Sequence, residues 1–270
     1  MLFYFALRST CTTFVANNDT HMRTIDTRRT IRKYLQKDVP EELLAQLLAS
    51  ASRTQTMGNL QLYSVVVTRE ASMKARLAPA HFNQPMVTEA PVVLTICADF
   101  RRVTDWCAAR GADAGYDNFL SFINASTDAL LFTQTFCNLA ESEGLGCCFL
   151  GTTVYQPQQI IDVLELPRLV MPVATITLGW PDETPPLTDR LSLAAFVHEE
   201  TYHPYTTELI DTLYEAKESL PENQEFVRIN CKSNLAQVFT DCRYTRRDNI
   251  AMSEGFIAAL RQQGFFTSEP

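Results

Sequence analysis

The chain has 270 residues, 46% hydrophobic and 20% charged, with a formal net charge of -8 and a pI near 5.1. That is globular composition, long enough for one large domain or two small ones. The acidity argues against a nucleic-acid binder, which would carry a basic face, and no apolar run approaches the ~18 residues of a membrane-spanning helix.

Residues 1–21 stand apart from the rest. Leu2-Phe3-Tyr4-Phe5-Ala6-Leu7 is a short apolar run without a preceding basic residue or a small-residue cleavage site, so it makes a poor signal peptide. An upstream-extended start or a disordered leader is expected, with the folded protein opening at Met22. Next comes Arg28-Arg29-Thr30-Ile31-Arg32-Lys33-Tyr34, a dense basic run in an acidic chain. If it is helical, Arg28 and Arg32 project from one face and could grip a phosphate between two guanidinium forks, with Thr30 adding a hydroxyl. The alternative is a solvated basic helix end.

Asp38-Val39-Pro40-Glu41-Glu42 predicts a helix start with a capping Asp, an early proline and acids at the positive end. The helix runs to about Arg53, before the polar loop Thr54–Gln61. Strands are predicted at Leu62–Val67 and, after a helical segment, at Pro91–Cys97. Asp117–Glu143 is the longest helical pattern, apolar nearly all round, which predicts a buried central helix at a dimer interface. Gly144 and Gly146 read as its C-cap, and Cys147–Leu150 as a short buried strand. Pro157–Leu164 reads as a helix, Met171–Gly179 as a strand, Trp180–Arg190 as irregular, and 205–219 and 247–263 as helices. Helices and strands mix without regular alternation, which favours α+β over a doubly wound sheet.

The eight cysteines have no Cys-x-x-Cys spacing, and most sit in apolar surroundings, as expected of reduced thiols in a cytoplasmic protein. Gly144-x-Gly146-x-x-Phe149 lacks the third glycine and the preceding strand of a dinucleotide fingerprint, and no P-loop is present. His198 and His203 flank Glu199-Glu200 at a spacing that fits a surface loop better than a metal site. With no protein nucleophile in view, a cofactor is expected to carry the chemistry.

Arg28-Arg29-Thr30-x-Arg32-x-Tyr34 resembles the opening signature of the FMN-dependent nitroreductase family, in particular its NADPH-preferring, oxygen-insensitive nitroreductase and flavin reductase subgroup. The likeness continues in order through Thr54–Gln61, Gln84-Pro85-Met86-Val87, Cys97–Phe100, Glu143–Gly146, Phe149–Thr152, Leu166-Pro167, Leu178–Pro181, Arg190-Leu191 and His198-Glu199. It implies an α+β nitroreductase fold over residues 22–270 with a C-terminal helical extension. The sheet would be mainly antiparallel, and the chain an interleaved homodimer with FMN at the interface. By this resemblance Arg28 and Arg32 would contact FMN, with Arg29 and Thr30 contributing backbone or hydroxyl contacts. Thr54, Thr56 and Asn59 fall in the loop that reaches the flavin bound mainly by the partner. Gln84 matches the contact to the pyrimidine edge, Leu150, Gly151 and Thr152 match the strand end near flavin N5, and Arg190 matches a phosphate ligand.

The implied activity is ping-pong electron transfer from NADPH or NADH to a small-molecule acceptor: a nitroaromatic, a quinone or free flavin. An enzyme for one dedicated metabolite and a non-catalytic flavin binder are the alternatives. Arg246 and Arg247 lie in a second basic cluster, Arg243–Asp248, that reads either as an NADPH phosphate site or as a solvated helix start in which Asp248 caps or pairs locally. Two differences from the subgroup stand out. Thr188-Asp189-Arg190 replaces Lys-Pro-Arg, removing a phosphate cation, and Gly151-Thr152-Thr153-Val154 replaces Gly-Gly-Leu-Arg.

Overall fold

A computed structural model describes residues 25–266, so the expected leader lies outside the described residues. A four-stranded antiparallel sheet of order β1-β2-β4-β3 forms the centre, with β1 at Tyr63–Thr68, β2 at Val92–Asp99, β3 at Gly146–Leu150 and β4 at Val170–Gly179. Every residue of β2 and β4 is buried. A strand covered on both faces has no reason to alternate, which is why both read as continuous apolar runs. The register pairs Leu94 with Ile176 and Cys148 with Thr177, and a bulge interrupts β2 between Ile96 and Cys97.

The helices are α1 Glu41–Ala51, α2 Ala71–Leu77, α3 Pro85–Glu89, α4 Arg101–Ala108, α5 Phe119–Ser142, α6 Pro157–Leu164, α7 Thr207–Glu218, α8 Pro221–Ile229, α9 Leu235–Val238 and α10 Arg246–Gln262. The main core lies where α5 covers one face of the sheet, with Ala129, Phe132 and Phe136 packed among Leu94, Ile96, Ile176 and Leu178. A smaller core of Ile31, Tyr34, Leu77, Val87, Cys148, Leu150 and Ile160 fills the opposite face. Successive strand residues point to opposite faces, so Cys147 joins the first core and Cys148 the second.

Helix α5 is buried on one face only within the chain. Asn118 caps it by accepting from Ser121 N, and Gly144, at φ 80°, ends it. Its inner face holds Phe132, Phe136 and also Asp128, but Leu120 is 68% exposed, and Phe119, Ile123, Leu130 and Leu131 are exposed along the same side. Asp38 is not a cap. Helix α1 opens at Glu41 behind Pro40 with no side-chain cap, two residues too late for Asp38, whose carbonyl instead accepts Trp180 Nε1 at 3.1 Å. Thr206 and Thr245 cap α7 and α10, so the cap of α10 is Thr245 and not Asp248.

Among the described residues no helix is long and apolar enough to cross a membrane. The described cysteines are free: Cys97, Cys137, Cys147 and Cys148 are buried, while Cys231 and Cys242 are exposed.

Candidate functional site

The arginine run is extended, not helical. Ile31 N donates to Cys147 O at 3.1 Å, Leu35 N to Trp180 O at 2.9 Å, and Asp182 N to Lys33 O at 3.0 Å. The segment therefore lies as a strap along the outer edge of β3 and satisfies hydrogen bonds that an edge strand leaves open. Tyr34 anchors it: its buried hydroxyl sits 2.7 Å from both Ile31 O and Thr177 Oγ1. Burial pushes the phenol far up, so it remains protonated. Gly146 makes the close approach possible, since a Cβ there would stand 2.6 Å from Ile31 Cβ. Gly146 is thus a packing glycine of β3, and only Gly144 serves the helix end.

Helical spacing does not bring Arg28 and Arg32 together; the strap's path past β3 does. Burial pushes the Cys148 thiol up, while the Arg32 and Arg28 guanidiniums beside it pull the other way, and Arg32 also hydrogen-bonds it. Arg28 Nε lies 3.4 Å from Glu141 Oε1. Burial raises the Glu141 carboxyl, with Arg28 opposing that shift. Glu183 Oε1 accepts from the backbone N–H groups of Arg32 (2.5 Å) and Lys33 (3.0 Å), which fixes the strap without using a guanidinium. Arg29 is committed to backbone carbonyls, donating to Pro185 O at 2.7 Å and Thr27 O at 2.8 Å. A groove of about 260 Å³ lies between the strap and the end of α5, lined by Arg28, Arg29, Ile31, Glu141 and Glu183. Thr30 lies on the strap between Arg29 and Ile31.

The other end of β3 carries Leu150, Gly151 and Thr152. Leu150 is buried, and Gly151 is exposed with open space where a Cβ would point. From Cys147 to Gly151 the chain advances about 13 Å at ~3.3 Å per residue. Thr152 Oγ1 lies 2.8 Å from His81 Nδ1. This bond ties the strand end to the turn His81–Gln84, in which Phe82 and Asn83 both have φ 54° and Gln84 precedes the first turn of α3. Arg28, Arg32, Leu150, Gly151, Thr152 and Gln84 therefore gather along β3.

The remaining expected residues do not join them within one chain. Thr54, Thr56 and Asn59 lie in the loop that enters β1, at the opposite edge of the sheet. Thr54 Oγ1 accepts from Thr135 Oγ1 of α5 at 3.1 Å. Arg190 turns back on its own segment, donating to Thr188 Oγ1 at 2.7 Å and Asp189 O at 2.8 Å, while Asp189 pairs with Lys217 at 2.9 Å. Arg246 and Arg247 open α10, and Arg247 pairs with Asp248 at 3.0 Å. Their neighbour Arg243 stacks 4.3 Å over the Phe226 ring and lines, with Tyr155, Tyr244, Asn249 and Phe256, a cleft of about 450 Å³ that begins just beyond Thr152. His198 lies against Tyr202 in the 192–205 segment, and no metal-holding cluster is found among the described residues.

Three residues that position the site were not singled out from sequence. Asp128 is 1% exposed, and its two oxygens accept from Met57 N at 2.8 Å and Leu62 N at 3.0 Å, clamping the 54–61 loop to α5. A lone acid in the midst of an apolar helix was the available signal. His81 and Glu183 act through partners far away in sequence, and no local pattern marks them.

The geometry agrees with relationships to known proteins. The chain is 29% identical over 188 residues to an FMN reductase [NAD(P)H] of Bacillus subtilis (strain 168), covering 67% of this chain and 74% of that one. It is 28% identical over 182 residues to an oxygen-insensitive NADPH nitroreductase of Salmonella typhimurium, covering 67% and 74% respectively. A crystal structure from Bacteroides fragilis NCTC 9343, provisionally described as an oxidoreductase, superposes with a TM-score of 0.90 at 58% identity, over 91% of this chain and all of the other. The nitroreductase family profile matches residues 25–180, more than half of the sequence, and the chain belongs to the nitroreductase family.

Proposed function

We propose that this protein is an FMN-dependent oxidoreductase that passes electrons from NAD(P)H to small-molecule acceptors such as nitroaromatics, quinones or free flavin. The observation that carries the reading is the strap: pairing Ile31 with Cys147 places two guanidiniums at one end of β3 and the open Gly151–Thr152 turn at the other. Both ends suit FMN. Arginine forks match a phosphate dianion, and open space over Gly151 admits a flat ring. The names of the relatives, FMN reductase and NADPH nitroreductase, support the same reading.

Arg28 and Arg32 would hold the anionic part of the cofactor, with Arg29 and Thr30 shaping the strap around it. Gln84, Leu150, Gly151 and Thr152 would meet the ring, and Arg190 would close on the phosphate from the 188–190 segment. When bound, FMN would supply a two-electron carrier, reduced by hydride from NAD(P)H and reoxidised by the acceptor. The protein would orient both, and the open space over Gly151 suits acceptor promiscuity. Anaerobic addition of NADPH to the FMN-loaded protein should bleach the flavin absorbance, and a nitroaromatic should restore it. Bleaching without restoration would leave a flavin binder and remove the enzyme.

The site is completed by a second copy. Thr54, Thr56 and Asn59 stand at the far edge of the sheet from Arg28 and Arg32, and the outer side of α5 exposes Leu120, Ile123, Leu130 and Leu131. An apolar stripe of that extent marks an interface, and we place a homodimer there, with the 54–61 loop of each copy reaching the flavin of the other. Sedimentation should find a dimer at micromolar concentration, with dimer and cofactor lost together on dilution. A stable monomer that retains FMN would contradict this. The free buried thiols fit the reducing cytoplasm.

Arg246 and Arg247 are proposed to favour NADPH. Its 2′-phosphate carries about two negative charges, which guanidinium forks suit, and Arg247, paired with half-buried Asp248, is available at 89% side-chain exposure. In the Arg246→Ala/Arg247→Ala double variant the KM for NADPH should rise roughly tenfold, the effect of losing about 1.4 kcal/mol. The KM for NADH should stay within about twofold. Equal changes for both donors, or none, would make this cluster a solvated helix start.

A further inference from the structure

His81 is fully buried, yet nothing in its sequence context explains a histidine there. Its Nδ1 lies 2.8 Å from Thr152 Oγ1, and its Nε2, also buried, has no hydrogen-bond partner among the described residues. Burial lowers its pKa to about 4, so the ring is neutral at physiological pH and carries one proton. Two tautomers are then open. A proton on Nε2 would strand a buried N–H donor, whereas a proton on Nδ1 leaves only a bare lone pair at Nε2, and orphaned buried N–H groups are the rarer of the two. With the proton on Nδ1, His81 donates and Thr152 Oγ1 accepts. The hydrogen of the Thr152 hydroxyl is then left without an acceptor among the described residues, on a half-buried side chain next to exposed Gly151.

The surrounding backbone gives this bond a second task. Phe82 and Asn83, neither of them glycine, both sit at φ 54°, and such conformations persist only where their surroundings hold them. Asn83 N returns to Ala78 O at 2.8 Å, Gln84 N lies 3.2 Å from His81 O, and the Phe82 ring meets Tyr155. His81 is the polar link from this turn to the Gly151–Val154 turn. One imidazole therefore ties together the two segments that carry Gln84 and Thr152.

We propose that His81 is a positioning residue that donates from Nδ1 to Thr152 and thereby presents the Thr152 hydroxyl hydrogen to the polar edge of the flavin ring. The inference rests on the FMN reading above. It assigns His81 no contact with the cofactor; its effect passes through Thr152.

The test is equilibrium FMN titration of the full-length apoprotein, followed by flavin fluorescence and by the visible absorption band, for wild type, Thr152→Val, His81→Leu, the double variant and His81→Asn. Thr152→Val keeps the branched shape, and Asn offers an amide where Nδ1 stood. One hydrogen bond predicts a five- to tenfold weaker FMN Kd in Thr152→Val and in His81→Leu. The double variant should be no weaker than either single one, His81→Asn should fall within about twofold of wild type, and both weakened variants should show the same shift of the flavin band. Losses that multiply in the double variant, a His81→Asn protein as weak as His81→Leu, or an unchanged Thr152→Val would each overturn the proposal. If His81→Leu does not fold, the Thr152→Val and His81→Asn results decide alone. A wild-type protein that binds no FMN refutes the cofactor reading itself. Normal wild-type binding with unaffected variants refutes only the role of His81.

Discussion

Asp128→Ala should be among the most destabilising single substitutions in this protein, lowering stability by about 2–4 kcal/mol. Both carboxylate oxygens are used, one by Met57 N at 2.8 Å and one by Leu62 N at 3.0 Å, and Asp128 is 1% exposed. Charge-assisted bonds of this kind contribute about 1.5–3 kcal/mol, and a buried donor left without an acceptor costs about 1–3 kcal/mol. For a chain of this size the melting temperature should fall by roughly 4–8 °C. Asp128→Asn should recover little, because its amide turns an N–H toward one of the two backbone donors. The consequence reaches function if the proposed homodimer holds, since the clamped loop carries Thr54, Thr56 and Asn59: FMN proposed to be bound by the other copy should weaken as well. A denaturation curve showing a loss below about 1 kcal/mol would mean that the clamp is not what orders the loop.

Arg32→Ala should lose FMN while leaving the fold intact. The strap is held by backbone donors, Ile31 to Cys147 and Arg32 and Lys33 to Glu183, together with the Tyr34 hydroxyl, and none of these uses the Arg32 guanidinium. What the substitution removes is a charge beside Cys148, where the anionic end of the cofactor is proposed to lie. One charge-assisted contact of about 1.5–3 kcal/mol corresponds to roughly ten- to a hundredfold in Kd. Unchanged circular dichroism and melting, together with a Kd raised by at least tenfold, is the expected pair of results. An unchanged Kd would take Arg32 out of the site.

Much of this architecture is legible without coordinates, and most of what is not depends on partners remote in sequence. The continuous apolar runs of β2 and β4, the long helix α5, the proline that opens α6 and the irregular 180–190 segment follow from local pattern, because burial on both faces, or on one helical stripe, leaves its mark on neighbouring residues. The arginine strap does not. Its seven residues suit a helix by spacing, but its backbone donors find Cys147, Trp180 and Glu183 more than a hundred positions away, and that long-range pairing overrides local preference. Remoteness in sequence also hides His81, whose partner Thr152 is 71 residues on. Gly146 is ambiguous in a different way: a glycine after a helix is read first as a cap, and only the Ile31 side chain pressed against it reveals a packing role. The basic run and the Gly151–Thr152 turn could be named as a site from the sequence, but the edge of β3 that joins them could not.

The central claim is that FMN binds along β3, between the Arg28–Arg32 strap and the Gly151–Thr152 turn. Titration of the apoprotein with FMN, comparing wild type with the Arg28→Ala/Arg32→Ala double variant, tests it most directly. Saturable binding of one FMN per chain in wild type, weakened by at least a hundredfold in a double variant that remains folded, is the predicted result. Wild-type protein that binds no FMN, or a folded double variant that binds it as tightly as wild type, would contradict it.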